Sequence, residues 1–195
     1  KQEKSYLWRE MGLGLWMLRR YEDADAAFRK VNHSGLFLEA VKDRMQLYGE
    51  SGKYNALIEL GLGYVSKLSL QDHAIYLLLL KDAIYKGKMW KKAGAVFFLA
   101  KKLHVEKELA PFYVMLGRSH YELAQCKSAI RNYEMALKLG ADMPEKAESK
   151  FRWGKCLGKE RKPDDAKRLW QEVVALNDSF WGPLAQNELR LLEVK

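Results

Sequence analysis

Residues Tyr113–Leu139 read YVMLGRSHYELAQCKSAIRNYEMALKL, and this stretch decides the fold because it contains two helical patterns joined by a short break. The first half has the spacing of an amphipathic helix, with Tyr113, Leu116, Gly117 and His120 on one face. The second half repeats that spacing with Ala129, Tyr133 and Ala136. Because the break at Ala124–Lys127 allows only a tight turn, we predict an antiparallel pair of helices.

The same pattern recurs along the whole chain. A small residue opens the second helix of each unit at Ala24, Ala56, Ala93, Ala129 and Ala166, separated by 32, 37, 36 and 37 residues. Twelve residues before these anchors stand Gly12, Arg44, Lys81, Gly117 and Gly154, and four residues after them stand Phe28, Leu60, Phe97, Tyr133 and Trp170. Since one hairpin cannot bury its apolar face alone, the units are expected to stack on one another.

These sizes and spacings resemble the tetratricopeptide repeat family, whose period is roughly 34 residues, over essentially the whole chain. The second and third units depart from the pattern at Arg44 and Lys81, where the others have glycine. The resemblance implies an all-α fold, a right-handed α-solenoid of about five helix hairpins with a C-terminal capping helix. It implies protein binding and no catalysis.

The limits of the units follow from the helix start signals. The predicted repeats span about 5–36, 37–71, 72–107, 108–143 and 144–178, and a capping helix spans 179–194, within one domain of 195 residues. Because nothing comparable caps the beginning, we expect that more repeats or another domain precede Lys1 in a longer chain. The stretch Ala74–Leu80 is apolar almost all round, so we expect it to be buried on every side.

Net charge, hydrophobicity and cysteine content bear on the partner, on membrane insertion and on disulfide formation. The formal charge of +9, from 34 Lys and Arg against 25 Asp and Glu, favours an acidic partner, although a merely solubilising surface is the simpler explanation. No apolar run is long enough to span a membrane, so no transmembrane segment is predicted. Cys126 and Cys156 fall in different repeats, and we expect free thiols that are buried or idle, with a single bridge as the alternative.

No catalytic, cofactor-binding or metal-binding site is predicted, and no small-molecule substrate. None of the four histidines, His33, His73, His104 and His120, lies three or four residues from another histidine or a cysteine. The two Gly-Leu-Gly motifs, at 12–14 and 61–63, fall inside helices, so neither is a phosphate-binding loop. We therefore predict that the protein is not an enzyme.

By resemblance to the family, one face of each first helix lines a groove that binds a partner. The residues assigned to it are Arg9, Leu13, Trp16, Met45, Tyr48, Asp82, Tyr85, Arg118, Tyr121 and Lys155. Its row of aromatic residues lapses at Gly158, and its central position changes from apolar to basic along the chain. Such a groove suits a polypeptide with apolar anchors and an acidic patch. The alternative is that the aromatic residues pack against the adjoining first helix.

The leading hypothesis is a scaffold or adaptor that binds a peptide, a helix or a partner protein. The ending Ala175–Leu192 is similar to repeat endings in bacterial envelope tetratricopeptide proteins, which favours the periplasm or cell envelope over the cytoplasm. An RNA-binding helical-repeat protein is the alternative. It is disfavoured because base-reading repeats carry polar residues at matched positions, where this chain has large aromatic residues.

Overall fold

The computed structural model describes residues 2–103, 106–140 and 142–193; His104 and the predicted last residue of the capping helix, at 194, lie outside these ranges. Within them the chain forms α-helices, short 3-10 turns and no strand, so the all-α prediction is confirmed. The helices are α1 (Gln2–Met17), α2 (Tyr21–Phe28), α3 (Ser34–Glu50), α4 (Tyr54–Tyr64), α5 (Leu70–Lys86), α6 (Ala93–Leu103), α7 (Ala110–Glu122), α8 (Cys126–Leu139), α9 (Lys146–Lys159), α10 (Pro163–Ala175) and α11 (Trp181–Glu193).

The helices pair in chain order. Helix α1 packs on α2, α3 on α4, α7 on α8 and α9 on α10, while α5 and α6 follow each other through a similarly short connection. The chain divides into two compact units, an N-terminal unit Lys1–Leu99 and a C-terminal unit Ala100–Lys195. A single continuous domain with the repeat limits given above stays a prediction. No helix among the described residues is long and apolar enough to cross a membrane.

Glycine sets the distance between the helices of three hairpins. A Cβ atom added to Gly12 would lie 2.6 Å from the ring of Phe28, and one added to Gly117 would lie 2.7 Å from Tyr133. At Gly154 the corresponding distance to Trp170 is 2.4 Å. The large ring on the second helix therefore occupies the space that a side chain on the first helix would need, which explains why the two positions keep a fixed separation.

The second hairpin has a charged residue, Arg44, at the position of that glycine, and Arg44 bonds the buried carboxylate of Asp25. Arg44 Nε donates to Asp25 Oδ1 at 2.7 Å, and the Tyr48 hydroxyl donates to the same oxygen at 2.8 Å. Burial on its own would raise the pKa of Asp25, but the hydrogen bonds from Arg44 and Tyr48 outweigh it, so the pKa lies below its ordinary value. Arg44 of α3 therefore forms an ion pair with Asp25 of α2, at the position where three other hairpins have a closely packed glycine.

The hairpin turns repeat as closely as the helices do. Four turns place a residue in the left-handed region seven positions after the glycine position, namely Arg19, Lys88, Ala124 and Arg161, with φ between 51° and 59°. In the second hairpin Gly52, with φ of 71°, takes this conformation one residue later. This residue reverses the chain after each first helix, and only glycine adopts it without steric cost.

The expectation of free thiols is wrong. Cys126, the first residue of α8, forms a disulfide with Cys156 of α9, and their Cα atoms lie 5.0 Å apart. Both cysteines are buried. The bridge arises because the fourth and fifth hairpins stack with α8 beside α9, which brings together residues of different repeats. It joins these two hairpins covalently.

The expectation that the apolar stretch of α5 is buried on every side is also wrong. Leu77 and Leu80 are fully buried, but Ile75 is 60% exposed and Leu78 is 45% exposed. The buried face packs against α4, where Leu80 fills the space beside Gly61. Because successive residues point 100° apart around a helix, Ile75 and Leu78 face away from that contact.

Candidate functional site

The ten residues assigned to the groove lie on the first helices of both units, but two of them are inaccessible. Met45 has no exposed surface and belongs to the core. Tyr48 is 3% exposed, because its hydroxyl bonds the buried carboxylate of Asp25. We therefore leave both side chains out of the surface that a partner can reach.

The polar groove residues of α1 connect it to α3. Arg9 Nε donates to Asp43 Oδ2 at 2.7 Å, and this hydrogen bond raises the pKa of Arg9 above its ordinary value. Trp16 Nε1 donates to Glu50 Oε2 at 2.7 Å, while its ring meets Phe28 edge-on. Leu13, which lies between Arg9 and Trp16 in the sequence, is partly buried. These side chains hold two consecutive first helices together and keep some surface exposed.

The groove residues of α5 sit at different depths. Asp82 is exposed and borders a cleft of about 310 Å³, which is lined by residues of α3, α4 and α5. Tyr85 is half-buried, with its ring packed edge-on against Trp90 at 6.0 Å. In the N-terminal unit, then, Trp16 and Tyr85 pack against other rings of the protein and keep some surface exposed, whereas Tyr48 is buried.

In the C-terminal unit, ion pairs join consecutive first helices. Arg118 of α7 pairs with Glu148 of α9 at 3.2 Å, and Arg152 of α9 pairs with Glu122 of α7 at 3.1 Å. Lys155 of α9 pairs with Glu188 of α11 at 2.9 Å. Two of the predicted basic groove residues, Arg118 and Lys155, are therefore already matched by carboxylates.

An open cleft lies where the row of aromatic residues lapses. A Cβ atom added to Gly158 meets no other atom within 4 Å, whereas the matched positions carry Trp16, Tyr85 and Tyr121. The resulting cleft of about 740 Å³, here called the Gly158 cleft, opens between α9, the start of α10, and α11. Its lining includes Lys155, Gly158, Lys159, Arg161, Trp170, Leu191 and Leu192.

Two cations of the Gly158 cleft are free of carboxylate partners among the described residues. They are Lys159 and Arg161, which follow the paired Lys155 on the chain. Lys159 Nζ lies 5.7 Å from the ring centre of Tyr121, and Arg152 lies 4.9 Å from the same ring. The Gly158 cleft thus combines an apolar wall with two cations that no carboxylate of the described residues pairs, and one of them, Lys159, also lies beside the Tyr121 ring.

The sequence predicts a basic end of the groove, and two of the cations named for it, Arg118 and Lys155, are paired with carboxylates in the structure. Arg118 and Lys155 are neutralised by neighbours about thirty residues away, and a repeat pattern does not reveal such partners. Lys159 could have been found, because it lies four residues after Lys155 on the same helical face. Among the described residues no group of three His, Cys, Asp or Glu side chains is placed to hold a metal ion.

Comparisons with known proteins bear on the fold. No protein-family profile matches this sequence. No curated protein matches it either. Among solved structures, MamA from Desulfovibrio magneticus RS-1 is 18% identical and has a TM-score of 0.59, over 91% of this chain and 97% of that chain.

Two further solved structures are similar to this chain in fold. TTC0263, a TPR protein from Thermus thermophilus, is 17% identical with a TM-score of 0.53, over 95% of this chain and 98% of that chain. A chain of nearly identical TPR-like repeats from Podospora anserina is 16% identical with a TM-score of 0.53, over 78% of this chain and 83% of that chain. The chain therefore has the tetratricopeptide-repeat fold, as the resemblance predicted.

Proposed function

We propose that this chain is a non-catalytic scaffold that binds a segment of another protein on the first-helix surface of its C-terminal unit. The observation that carries the proposal is the Gly158 cleft. It occupies the place where other first helices have an aromatic side chain, so the surface is open there by loss of one ring. A cleft of about 740 Å³ is large enough to receive a bulky side chain of a partner.

The lining of the Gly158 cleft defines the partner that fits it. An aromatic or aliphatic anchor would contact Trp170, Leu191 and Leu192, and an acidic side chain beside that anchor would reach Lys159 or Arg161. The apolar anchor and the acidic patch expected of the partner would therefore both bind within the Gly158 cleft. Arg118 and Lys155 contribute less, because a partner would first have to displace their carboxylates.

The disulfide supports an oxidising compartment as the place where this scaffold works. Disulfides persist in secreted and periplasmic proteins and are rare in the reducing cytosol. Cys126 and Cys156 are both buried, and they join the two hairpins that carry Tyr121 and the Gly158 cleft. This agrees with the expectation of a bacterial cell envelope, and it gives the bridge a role in holding the binding surface at fixed spacing.

Closing the Gly158 cleft should weaken binding without unfolding the protein. Gly158→Trp restores a ring at the lapsed position, and we expect it to weaken binding about tenfold or more, because the anchor loses its pocket. The ligands are peptides selected from a displayed random library on the wild-type protein, and fluorescence anisotropy measures their affinity. Gly63→Trp is the matched control, since Gly63 is also exposed, penultimate in its helix and free of neighbours within 4 Å.

The outcome also separates protein binding from RNA binding. If selected peptides bind Gly158→Trp as tightly as the wild type, the cleft is not the binding site. The RNA alternative predicts that single-stranded RNA binds with an affinity that falls steeply and linearly with the logarithm of salt concentration.

A further inference from the structure

A second cleft of about 660 Å³ opens between the second helices α8 and α10, over the first helix α9. We call it the Lys150 cleft. Lys150 stands four residues before Gly154, where the first and fourth hairpins have Trp8 and Tyr113. The fifth hairpin therefore lacks the ring that this position carries in the first and fourth hairpins, and a charged side chain borders the space.

The Lys150 cleft has an apolar floor and a cationic rim. Ile130, Leu137, Leu157 and Leu169 form the floor, and the charged rim consists of Lys146, Lys150, Lys162, Arg168, Asp165 and Glu172. Lys150 pairs with Glu172, and Arg168 pairs with Asp165 at 3.6 Å. The rim therefore carries two positive charges more than its own carboxylates balance.

The two surplus charges belong to Lys146 and Lys162. Lys162 is exposed and has no carboxylate partner in the described part of the chain. Among the residues that the structure describes, Lys146 pairs with Asp142 alone, at 3.9 Å, and the side chain of Asp142 is fully exposed to water. An ion pair of this length and exposure contributes little, so both ammonium groups can turn to a ligand.

Trp153 adds an aromatic surface to the wall of the Lys150 cleft, because its indole lines the cleft. Cations around an apolar floor are the groups that recognise a carboxylate beside an apolar side chain.

We propose that the Lys150 cleft is a second binding site, whose ligand is an acidic peptide segment with an apolar side chain between its carboxylates. The segment's carboxylates bind Lys146 and Lys162, and its apolar side chain packs on the floor. This goes beyond binding at the Gly158 cleft, because it lets one scaffold hold two segments on different surfaces of the same hairpins. A polynucleotide is the poorer fit, since its phosphate backbone has no apolar side chain to pack on the floor between the cations.

The test uses a labelled peptide of sequence Asp-Glu-Leu-Phe-Glu-Asp and the whole chain, with affinity measured by fluorescence anisotropy. Lys146→Glu with Lys162→Glu should weaken binding about tenfold or more, because two attractive charges become repulsive. Both positions lie at helix N-termini, where a carboxylate is favoured, so the variant should fold. The control, Lys4→Glu with Lys167→Glu, changes the net charge equally at exposed residues outside the cleft and should bind normally.

Four results would overturn the proposal. They are equal losses in both double variants, equal binding of a peptide in which Lys replaces Asp and Glu, equal binding of a peptide in which Ser-Gly replaces Leu-Phe, and tighter binding of single-stranded RNA. Gly158→Trp separates this site from the proposed function. Because this peptide also carries the anchor and carboxylates proposed for the Gly158 cleft, both double variants are measured in the Gly158→Trp background, where the loss from Lys146→Glu with Lys162→Glu should persist. Peptides selected on the Gly158 cleft should still bind the Lys146→Glu, Lys162→Glu variant.

Discussion

Reduction of the disulfide between Cys126 and Cys156 is expected to lower the free energy of unfolding by about 3 to 4 kcal/mol. The bridge spans 30 residues of sequence, and its main effect is to restrict the unfolded chain. The double variant Cys126→Ser, Cys156→Ser should show the same loss. Urea denaturation with and without a reductant, with thiols titrated to confirm complete reduction, measures the effect.

The double variant is also the control for this prediction. Its denaturation midpoint should not respond to the reductant, and the reduced wild type should approach it. A wild-type midpoint that is the same in both redox states would mean that the bridge adds nothing to the stability of the fourth and fifth hairpins. The role proposed for it in holding the binding surface would then fail as well.

Gly117→Leu is expected to lower the free energy of unfolding by about 3 kcal/mol, the upper part of the range for overpacked cores. A Cβ atom at this position would already lie 2.7 Å from the Tyr133 ring, which has no exposed surface and cannot move aside. Gly14→Leu is the matched control, because a Cβ atom there meets nothing within 4 Å. It should be neutral or slightly stabilising, since leucine favours helices more than glycine does.

Thermal and urea denaturation of the two variants distinguish close packing from a general effect of removing glycine. Equal stabilities for Gly117→Leu and Gly14→Leu would contradict the packing of glycine on ring that defines three of the hairpins. The same contact at Gly12 and Gly154 predicts losses of similar size in the first and fifth hairpins.

The helices and their pairing could be predicted because they follow from the sizes of side chains within a single hairpin. The spacing of sixteen residues between Gly117 and Tyr133 is visible in the sequence and becomes a direct contact in the structure. The start of the capping helix could also be predicted from the sequence. Asp178 Oδ1 accepts from the backbone N–H groups of Phe180 and Trp181, at 2.9 and 2.7 Å, as expected at the start of the closing helix.

Contacts between hairpins could not be predicted in the same way. Arg44 was recognised as a departure from glycine, but nothing in its neighbourhood points to Asp25, nineteen residues earlier, as its partner. The ion pairs of Arg118 and Lys155 and the disulfide likewise join residues 30 or more positions apart. Such pairs depend on the rotation of one hairpin against the next, which the repeat pattern leaves undetermined.

The residues assigned to the groove show both outcomes, one in each compact unit. Tyr48 and Tyr121 occupy matched positions in their repeats, so the sequence treats them alike. Tyr48 is buried because a carboxylate, Asp25, lies within reach of its hydroxyl, whereas Tyr121 stays partly open beneath Arg152 and Lys159. The sequence shows that Gly158 interrupts the row of aromatic residues, but only the structure shows that a cleft opens there.

The central claim is that the first-helix surface of the C-terminal unit binds another polypeptide, and site-specific photo-cross-linking tests it most directly. A photo-reactive amino acid replaces Lys159, beside the Gly158 cleft, or Lys167, an exposed residue of α10 that lines neither cleft. In cells that produce the full protein, we predict a cross-linked polypeptide from position 159 that is absent from position 167 and lost with Gly158→Trp. Equal yields at the two positions, or a cross-link at 167 alone, would contradict the account.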